Sequence, residues 1–311
     1  MADPLAPCWL EDFIGQKNVV DIVRWEIEAA RKAGRRGHFI AHGPTGTGKT
    51  TIGHIICMDL NLVLVSLTGA QLENTRDTYA ILHRLTRIQE PIFLQLDEAD
   101  GMTRAASQVL HPVLAENVFD SEDGRRLPLQ PITAFLTTNY LSQLSEPIIS
   151  RCRIQLQFDL YSEEELTQIA INSAHRLTLS ITQQAAEFIA EYGLGEPRRV
   201  NHLIETAATY CKVTDQTCIN VTVVDAVLEK LKLYPRGLTK LEVDILRFLA
   251  MQPKFRAGLQ TIAGAMFSSP KDIHQRHEPS LARNGLISIQ GTGRVLTEKG
   301  IAYIESLGNA L

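Results

Sequence analysis

The chain has 311 residues, a formal net charge of -4, and 44% hydrophobic against 21% charged residues. That balance excludes disordered, fibrous and collagen-like chains, and the length suggests two or three domains at roughly 100–150 residues each. No apolar run reaches the ~18 residues of a membrane helix, and the acidic start MADPLAPCWLEDF lacks the apolar stretch of a secretory signal, so a cytoplasmic protein is expected. Cys8, Cys57, Cys152, Cys211 and Cys218 show neither CxxC nor Cys/His metal spacing, which suits buried thiols in a reducing compartment.

Taken in order, VVDIVRWEIEAARKAG (19–34) has helical periodicity and ends at Gly34. Trp25 within it and Trp9 before it are expected as packing anchors. Five short apolar runs follow: HFIAH (38–42), LVLVSL (62–67), PIFLQL (91–96), ITAFLT (132–137) and IQLQF (154–158). They read as strands buried in a mostly parallel sheet. Helical stretches at about 49–60, 75–88, 104–116 and 145–150 separate them, so the first half reads as an open α/β sheet covered on both faces.

From Ser162 onward the pattern is helical only, in four amphipathic stretches that make a small bundle, and YPRG (234–237) reads as a hinge. Helical runs at 239–250, 259–266 and near 271–284 come next, and LISIQGTGRVLTEKG (286–300) alternates about Gly-Thr-Gly as a hairpin does. Three helices and a hairpin are the layout of a winged helix. The expected domains are therefore 1–159, 160–234 and 235–311. Residues 235–311 hold ten Lys/Arg and six Asp/Glu, a net of +4 on a body carrying -8. A basic tail suits an anionic partner, although ordinary surface variation gives the same excess.

GPTGTGKT (43–50) follows a strand and precedes a helix, the context a phosphate-binding loop requires. Its residues are Gly43, Pro44, Thr45, Gly46, Thr47, Gly48, Lys49 and Thr50, with Thr51 just inside the helix. Glycines let successive amides turn inward around phosphate oxygens, and the helix start adds its positive dipole end. Lys49 is placed to neutralise the β- and γ-phosphates of ATP, and Thr50 to ligate Mg²⁺. After the third strand, LDEAD (96–100) supplies Asp97 to hold Mg²⁺ through water and Glu98 to act as general base toward the attacking water.

Asn139, in TTNY after the fourth strand, is placed to hydrogen-bond that water or the γ-phosphate. Arg151 has no evident partner in its own subunit's site, and in a ring it would serve the neighbour's γ-phosphate as an arginine finger. In GEPRR (195–199), Pro197 and Arg198 open a helix. A cation there opposes the helix dipole unless an anion such as a nucleotide offsets it. Arg125 and Arg126 sit after SEDG, where contact with DNA or a neighbouring subunit competes with a solvated tip.

The order FIGQ (13–16), GPTGTGKT, LDEAD, TTNY, SRC and GEPR resembles the AAA+ ATPases, with an α/β P-loop domain and a helical lid. More narrowly, LEDFIGQKNVV, IEAARKAG, GEPRRVNHLIE, GLTKLEVDILRFL, HEPSLARNGLI and GTGRVLTEKGIAYI resemble the RuvB family of Holliday-junction branch-migration motors over roughly 10–305. The resemblance implies a C-terminal winged helix that contacts DNA, with Arg294 in its hairpin as a DNA-contacting arginine, and Ile14 and Gly15 lining the adenine pocket. It also implies an ATP-driven, ring-forming motor, a homo-oligomer expected to be a hexamer, acting on duplex arms of branched or junction DNA.

Three departures stand out. LDEAD replaces the family's DEIH. TTNYLSQLSEPIISRC is closer to clamp-loader subunits, which keeps an ATP-driven loader of another protein onto DNA as the alternative. The segment 115–132 is shorter than the family's hairpin that docks on RuvA, which puts a RuvA-like adaptor in question.

Overall fold

Gln16 and Gly34 bound the first helix, α1 (Lys17–Ala33); both occupy the left-handed region, at φ 49 and 66, and the Gly34 amide closes the last turn on the Ala30 carbonyl. Val19, Val20, Val23 and Ile27 recur at helical spacing and bury its inner face. The structure, a computed structural model, describes residues 4–34, 36–291 and 293–308. Two compact units make up the chain, the first ending at Tyr161 and the second beginning at Ser162.

In the first unit α1 is followed by β1 (Phe39–His42), α2 (Lys49–Asp59), β2 (Val63–Thr68), α3 (Thr75–Leu85), β3 (Ile92–Asp97) and α4 (Arg104–Glu116). Then come β4 (Val118–Asp120), β5 (Arg126–Pro128), β6 (Ile132–Thr138), α5 (Glu146–Arg151) and β7 (Ile154–Gln157). The main sheet runs β2-β3-β6-β1-β7, all parallel, and β4 and β5 form a separate antiparallel hairpin. Side chains alternate between the faces of the main sheet. Ile40, Leu94 and Leu136 pack with Leu82 of α3 and Leu110 and Val113 of α4. Phe39, Ala41, Phe93, Phe135 and Leu156 pack with Val23 of α1 and Ile52 and Ile56 of α2.

β1, β3 and β6 are interior strands, so their carboxyl ends, and the loops leaving them, gather on one side of the sheet. β2 departs from expectation. It is an edge strand, with Val63 and Leu64 36% and 43% exposed; among the described residues no strand pairs with its outer side. Trp9 and Trp25 are also 58% and 64% exposed rather than packing anchors; Trp25 lies on the outer face of α1.

The second unit begins with the four-helix lid: α6 (Glu163–Arg176), β8 (Ser180–Ile181), α7 (Gln183–Gly193), α8 (Pro197–Val213), β9 (Cys218–Ile219) and α9 (Val221–Leu231). Ser162 and Glu165 close a capping box on α6, and Asn220 caps α9. The winged helix comprises α10 (Lys240–Ala250), β10 (Arg256–Gly258), α11 (Leu259–Ala265) and a broken helix, then β11 (Ile287–Gln290), β12 (Gly293–Leu296) and a final helix (Glu298–Gly308). The broken helix is α12 (Pro270–Asp272), a π-helical turn (Ile273–His277) and α13 (Glu278–Arg283), so the final helix is α14. Its sheet runs β10-β12-β11, antiparallel.

The stretch 234–237 is a packed corner rather than the expected hinge. A Cβ on Gly237 would fall 2.7 Å from the Tyr192 carbonyl, and the Tyr303 hydroxyl donates to the Pro235 carbonyl at 2.8 Å. Arg283 of the winged helix also pairs with Glu196 of the lid. Among the described residues, no helix is long and apolar enough to cross a membrane.

Candidate active site

β1 delivers the chain to Gly43 directly beside the exit of β7, where the Phe158 amide donates to the His42 carbonyl at 2.8 Å. A Cβ on Gly43 would lie 2.2 Å from the Phe158 carbonyl oxygen, and φ here is +132. Only glycine passes this point. Gly48, at φ +98, would bring a Cβ to 2.8 Å from the Phe13 ring. The loop is braced from beneath. Thr47 is buried and donates to the Pro44 carbonyl at 2.8 Å, while the Tyr161 hydroxyl donates to the Thr47 carbonyl at 3.1 Å.

Lys49 opens α2, whose first amides have no partner within the helix and face the loop. Its ammonium donates to the Gly43 carbonyl at 2.6 Å, the Pro44 carbonyl at 2.7 Å and Asn139 Oδ1 at 3.3 Å. The Thr45 hydroxyl reaches the same Asn139 oxygen at 3.1 Å. The structure thus brings Asn139, at the end of β6, onto the loop. Burial, and then the charge of Lys49, push the His42 imidazole below its ordinary value, so it stays neutral beside the ammonium.

Asp97 closes β3 opposite. The Thr50 and Thr137 hydroxyls each donate to its Oδ1 at 3.0 Å, and Gln95 Nε2 donates to Oδ2 at 3.1 Å. Glu98, the next residue, is exposed and left-handed at φ 51, and its amide donates to the Thr137 hydroxyl at 3.2 Å. A Cβ on Gly69 would fall 2.1 Å from the Glu98 carbonyl, so a glycine is required where this turn packs. Thr51 is half-buried on α2.

The donors suit Mg²⁺. Among the described residues no group of three or more His, Cys, Asp or Glu could hold a metal. A hydroxyl and a carboxylate already hydrogen-bonded to each other supply hard oxygens for a cation that keeps waters and takes the rest of its shell from phosphates.

Phe13, Ile14, Gly15 and Gln16 form a strap ahead of α1. Gln16 Nε2 donates to the Asp159 carbonyl at 2.6 Å and its Oε1 accepts the Asp159 amide at 3.1 Å. Ile14 and Gly15, just before Gln16, are half-buried. Sequence reasoning missed Gln16, Gln95, Thr137 and Tyr161. Gln95 carried a signal, since it stands two residues before Asp97 and so shares its face of β3.

Arg151 ends α5, is exposed, and its Nε donates to His111 Nε2 at 3.3 Å. No hydrogen bond among the described residues joins it to Lys49, Asp97 or Glu98. Pro197 and Arg198 form the first turn of α8 in the second unit, and Arg198 is exposed. Arg125 pairs with Asp123, and Arg126 with Glu116 and Asp120, at an exposed tip.

Arg294 corrects an expectation. It is 6% exposed and gives Nε and Nη2 to the two oxygens of Glu278, which is 3% exposed. Burial would raise the Glu278 carboxyl, but Arg294 and His274 hold it below its ordinary value. β12 is the central strand of its sheet, and Arg294 faces the interior there. Its guanidinium is committed to Glu278 within the fold.

Three families match the chain in succession: the "Holliday junction DNA helicase RuvB P-loop domain" over residues 5–158, the "RuvB AAA lid domain" over 161–233 and the "RuvB C-terminal winged helix domain" over 235–305. A protein of Wolbachia sp. subsp. Brugia malayi, "Holliday junction branch migration complex subunit RuvB", is 30% identical over 308 residues, covering 96% of this chain and 93% of its own. The protein of that name from Neorickettsia sennetsu is 30% identical over 315 residues, covering 98% and 94%. A Thermotoga maritima structure, "RuvB Holliday junction branch migration motor", superposes with a TM-score of 0.84 at 29% identity, covering 97% of this chain and 99% of that one. The chain belongs to the RuvB family of AAA+ ATPases.

Proposed function

We propose that this chain is an ATP-driven motor that forms a ring and moves the arms of branched or Holliday-junction DNA. The observation that carries the reading is the joined network of Lys49, Asn139 and Thr45 on one side of the loop and Thr50, Asp97, Thr137 and Gln95 on the other. Within it Asp97 is held by two hydroxyls and an amide, and Lys49 donates to two backbone carbonyls and the Asn139 oxygen.

Lys49 and the loop amides bind the β- and γ-phosphates, and Ile14 and Gly15 line the base pocket. Thr50 and Asp97 would hold Mg²⁺, the hydroxyl directly and the carboxylate through water, and the ion would neutralise charge on the phosphate oxygens. Asn139 orients the attacking water. Glu98 takes its proton as the oxygen bonds to the γ-phosphorus and the bond to the ADP oxygen breaks. Arg151 serves the site of the next subunit, which makes a ring a condition of turnover; Pro197 and Arg198 of the lid carry the nucleotide state onward.

The hairpin β4–β5 bears on the adaptor. Its Phe119 is buried against Tyr79 and His83, and its exposed residues include Asp120, Glu122, Arg125 and Arg126. An adaptor docking there would meet charge rather than an apolar face.

ATP turnover measured with a four-way junction, with linear duplex and without DNA tests the reading. DNA should stimulate turnover, and the junction should do so most. Turnover indifferent to every DNA, and raised only by a protein cargo, would favour the loader.

A further inference from the structure

Burying Arg294 leaves the hairpin tip without its expected cation, and a different residue occupies that place. Arg256, on β10, pairs across the sheet with Val295 and is exposed. Its guanidinium lies over Gly293: a Cβ there would fall 2.3 Å from Arg256 Nε, and Arg256 Nη2 donates to the Gln290 carbonyl at 3.3 Å. Gln290 and Gly293 are the paired residues that flank the turn. Glycine at 293 makes the room that the guanidinium fills.

The two residues before Arg256 share the corner. Lys254 and Phe255 are consecutive left-handed residues, at φ 56 and 53, a conformation bulky side chains rarely adopt. Lys254 is exposed and the Phe255 ring is 43% exposed, beside a sheet that also shows Ile289 at 49%. Arg247, Arg276, Arg283 and Arg294 each face a carboxylate, whereas Lys254 and Arg256, like the dispersed Arg236, Lys240, Lys271 and Lys299, form no ion pair among the described residues; in this corner two such cations flank an exposed ring.

From this we infer that Lys254, Phe255 and Arg256 form the DNA-contacting edge of the winged helix, the two cations on backbone phosphates of a duplex arm and the Phe255 ring against the adjoining sugar. The inference rests on the motor reading for its partner. Two cations flanking an exposed ring match a duplex backbone, where cations set register and an apolar group fills the space at the groove edge.

The test is binding of the full-length chain to a labelled four-way junction, measured by anisotropy over a series of salt concentrations. Each phosphate that the protein neutralises adds about 0.9 to the slope of log K against log salt. Arg256→Gln should lower the slope by the share of about one phosphate, and the Lys254→Gln/Arg256→Gln double variant by that of about two. Arg256→Lys should restore the slope, because it keeps the charge; a guanidinium needed only to pack on Gly293 would leave it lowered. Phe255→Ser should weaken binding at unchanged slope. DNA binding by the unaltered chain with the same slope in the glutamine variants would overturn this assignment alone. Failure of the unaltered chain to bind DNA would overturn the motor reading and the assignment together.

Discussion

Charge is handled in opposite ways at the P-loop and at the buried pair of the winged helix. At the P-loop, Lys49 rests on two carbonyls and an asparagine, and Asp97 on two hydroxyls and an amide. In the winged helix, Glu278 is clasped by Arg294 through both of its oxygens. A charge positioned by neutral groups stays available to a ligand of opposite sign. A charge positioned by its opposite is neutralised within the fold and serves its stability. The contrast separates working from structural residues where residue type alone does not, since both halves use the same arginines, lysines and carboxylates.

Substitutions can break or sharpen that contrast. The largest effects should come at the open charges. Arg151→Ala should lower kcat by about 10³–10⁵ with ATP binding retained, the range of an arginine finger. Glu98→Gln should lower kcat by about 10²–10⁴ with the fold intact, as loss of a general base does, measured by steady-state ATPase beside a nucleotide-binding titration.

At the closed charges the cost should fall on stability. Arg294→Met removes one partner and leaves Glu278 buried, which costs about 3–5 kcal/mol, read by denaturant unfolding. The paired change Arg294→Met/Glu278→Leu should recover much of that loss. If Arg294→Met unfolds like the native chain, the neutralised half of the contrast is wrong.

The smallest effect is set by pH. His38 Nδ1 accepts the Ala134 amide at 3.0 Å and Nε2 donates to the Leu114 carbonyl at 2.8 Å, so the neutral ring satisfies both neighbours. Burial lowers its value from the ordinary 6.5, with the Leu114 bond opposing. The unfolded chain therefore takes up the proton first. The stability from the neutral ring is complete above 6.5 and is lost as pH falls toward the folded value. Between pH 7.5 and 5.5 the melting temperature should drop by about 2–4 °C, as roughly 1 kcal/mol does in a chain this size, and the drop should shrink in His38→Gln.

Contiguous chemistry was legible in the sequence, and chemistry assembled across the fold was not. GPTGTGKT and Asp97–Glu98 announce themselves because one loop and one strand end carry them. Thr137 stands 40 residues from Asp97, and Tyr161 stands 114 from Thr47, so only the folded sheet brings them together. Arg294 was misread for the same reason: Glu278 lies 16 residues away, at the start of the helix before the hairpin. LVLVSL reads as an interior strand because hydrophobicity does not reveal which strand ends up at an edge. The Pro and Gly of 234–237 read as a hinge because Tyr192 and Tyr303, which pack the corner, could not be seen from those four residues.

The claim beneath the functional reading is that neighbouring subunits complete each other's site, and mixing two inactive variants tests it directly. Arg151→Ala subunits keep the loop and Glu98; Glu98→Gln subunits keep the finger. If sites are shared, the mixture regains ATPase activity that neither variant shows alone. Activity no greater than the sum of the separate variants, in particles shown by light scattering to contain both, would contradict it.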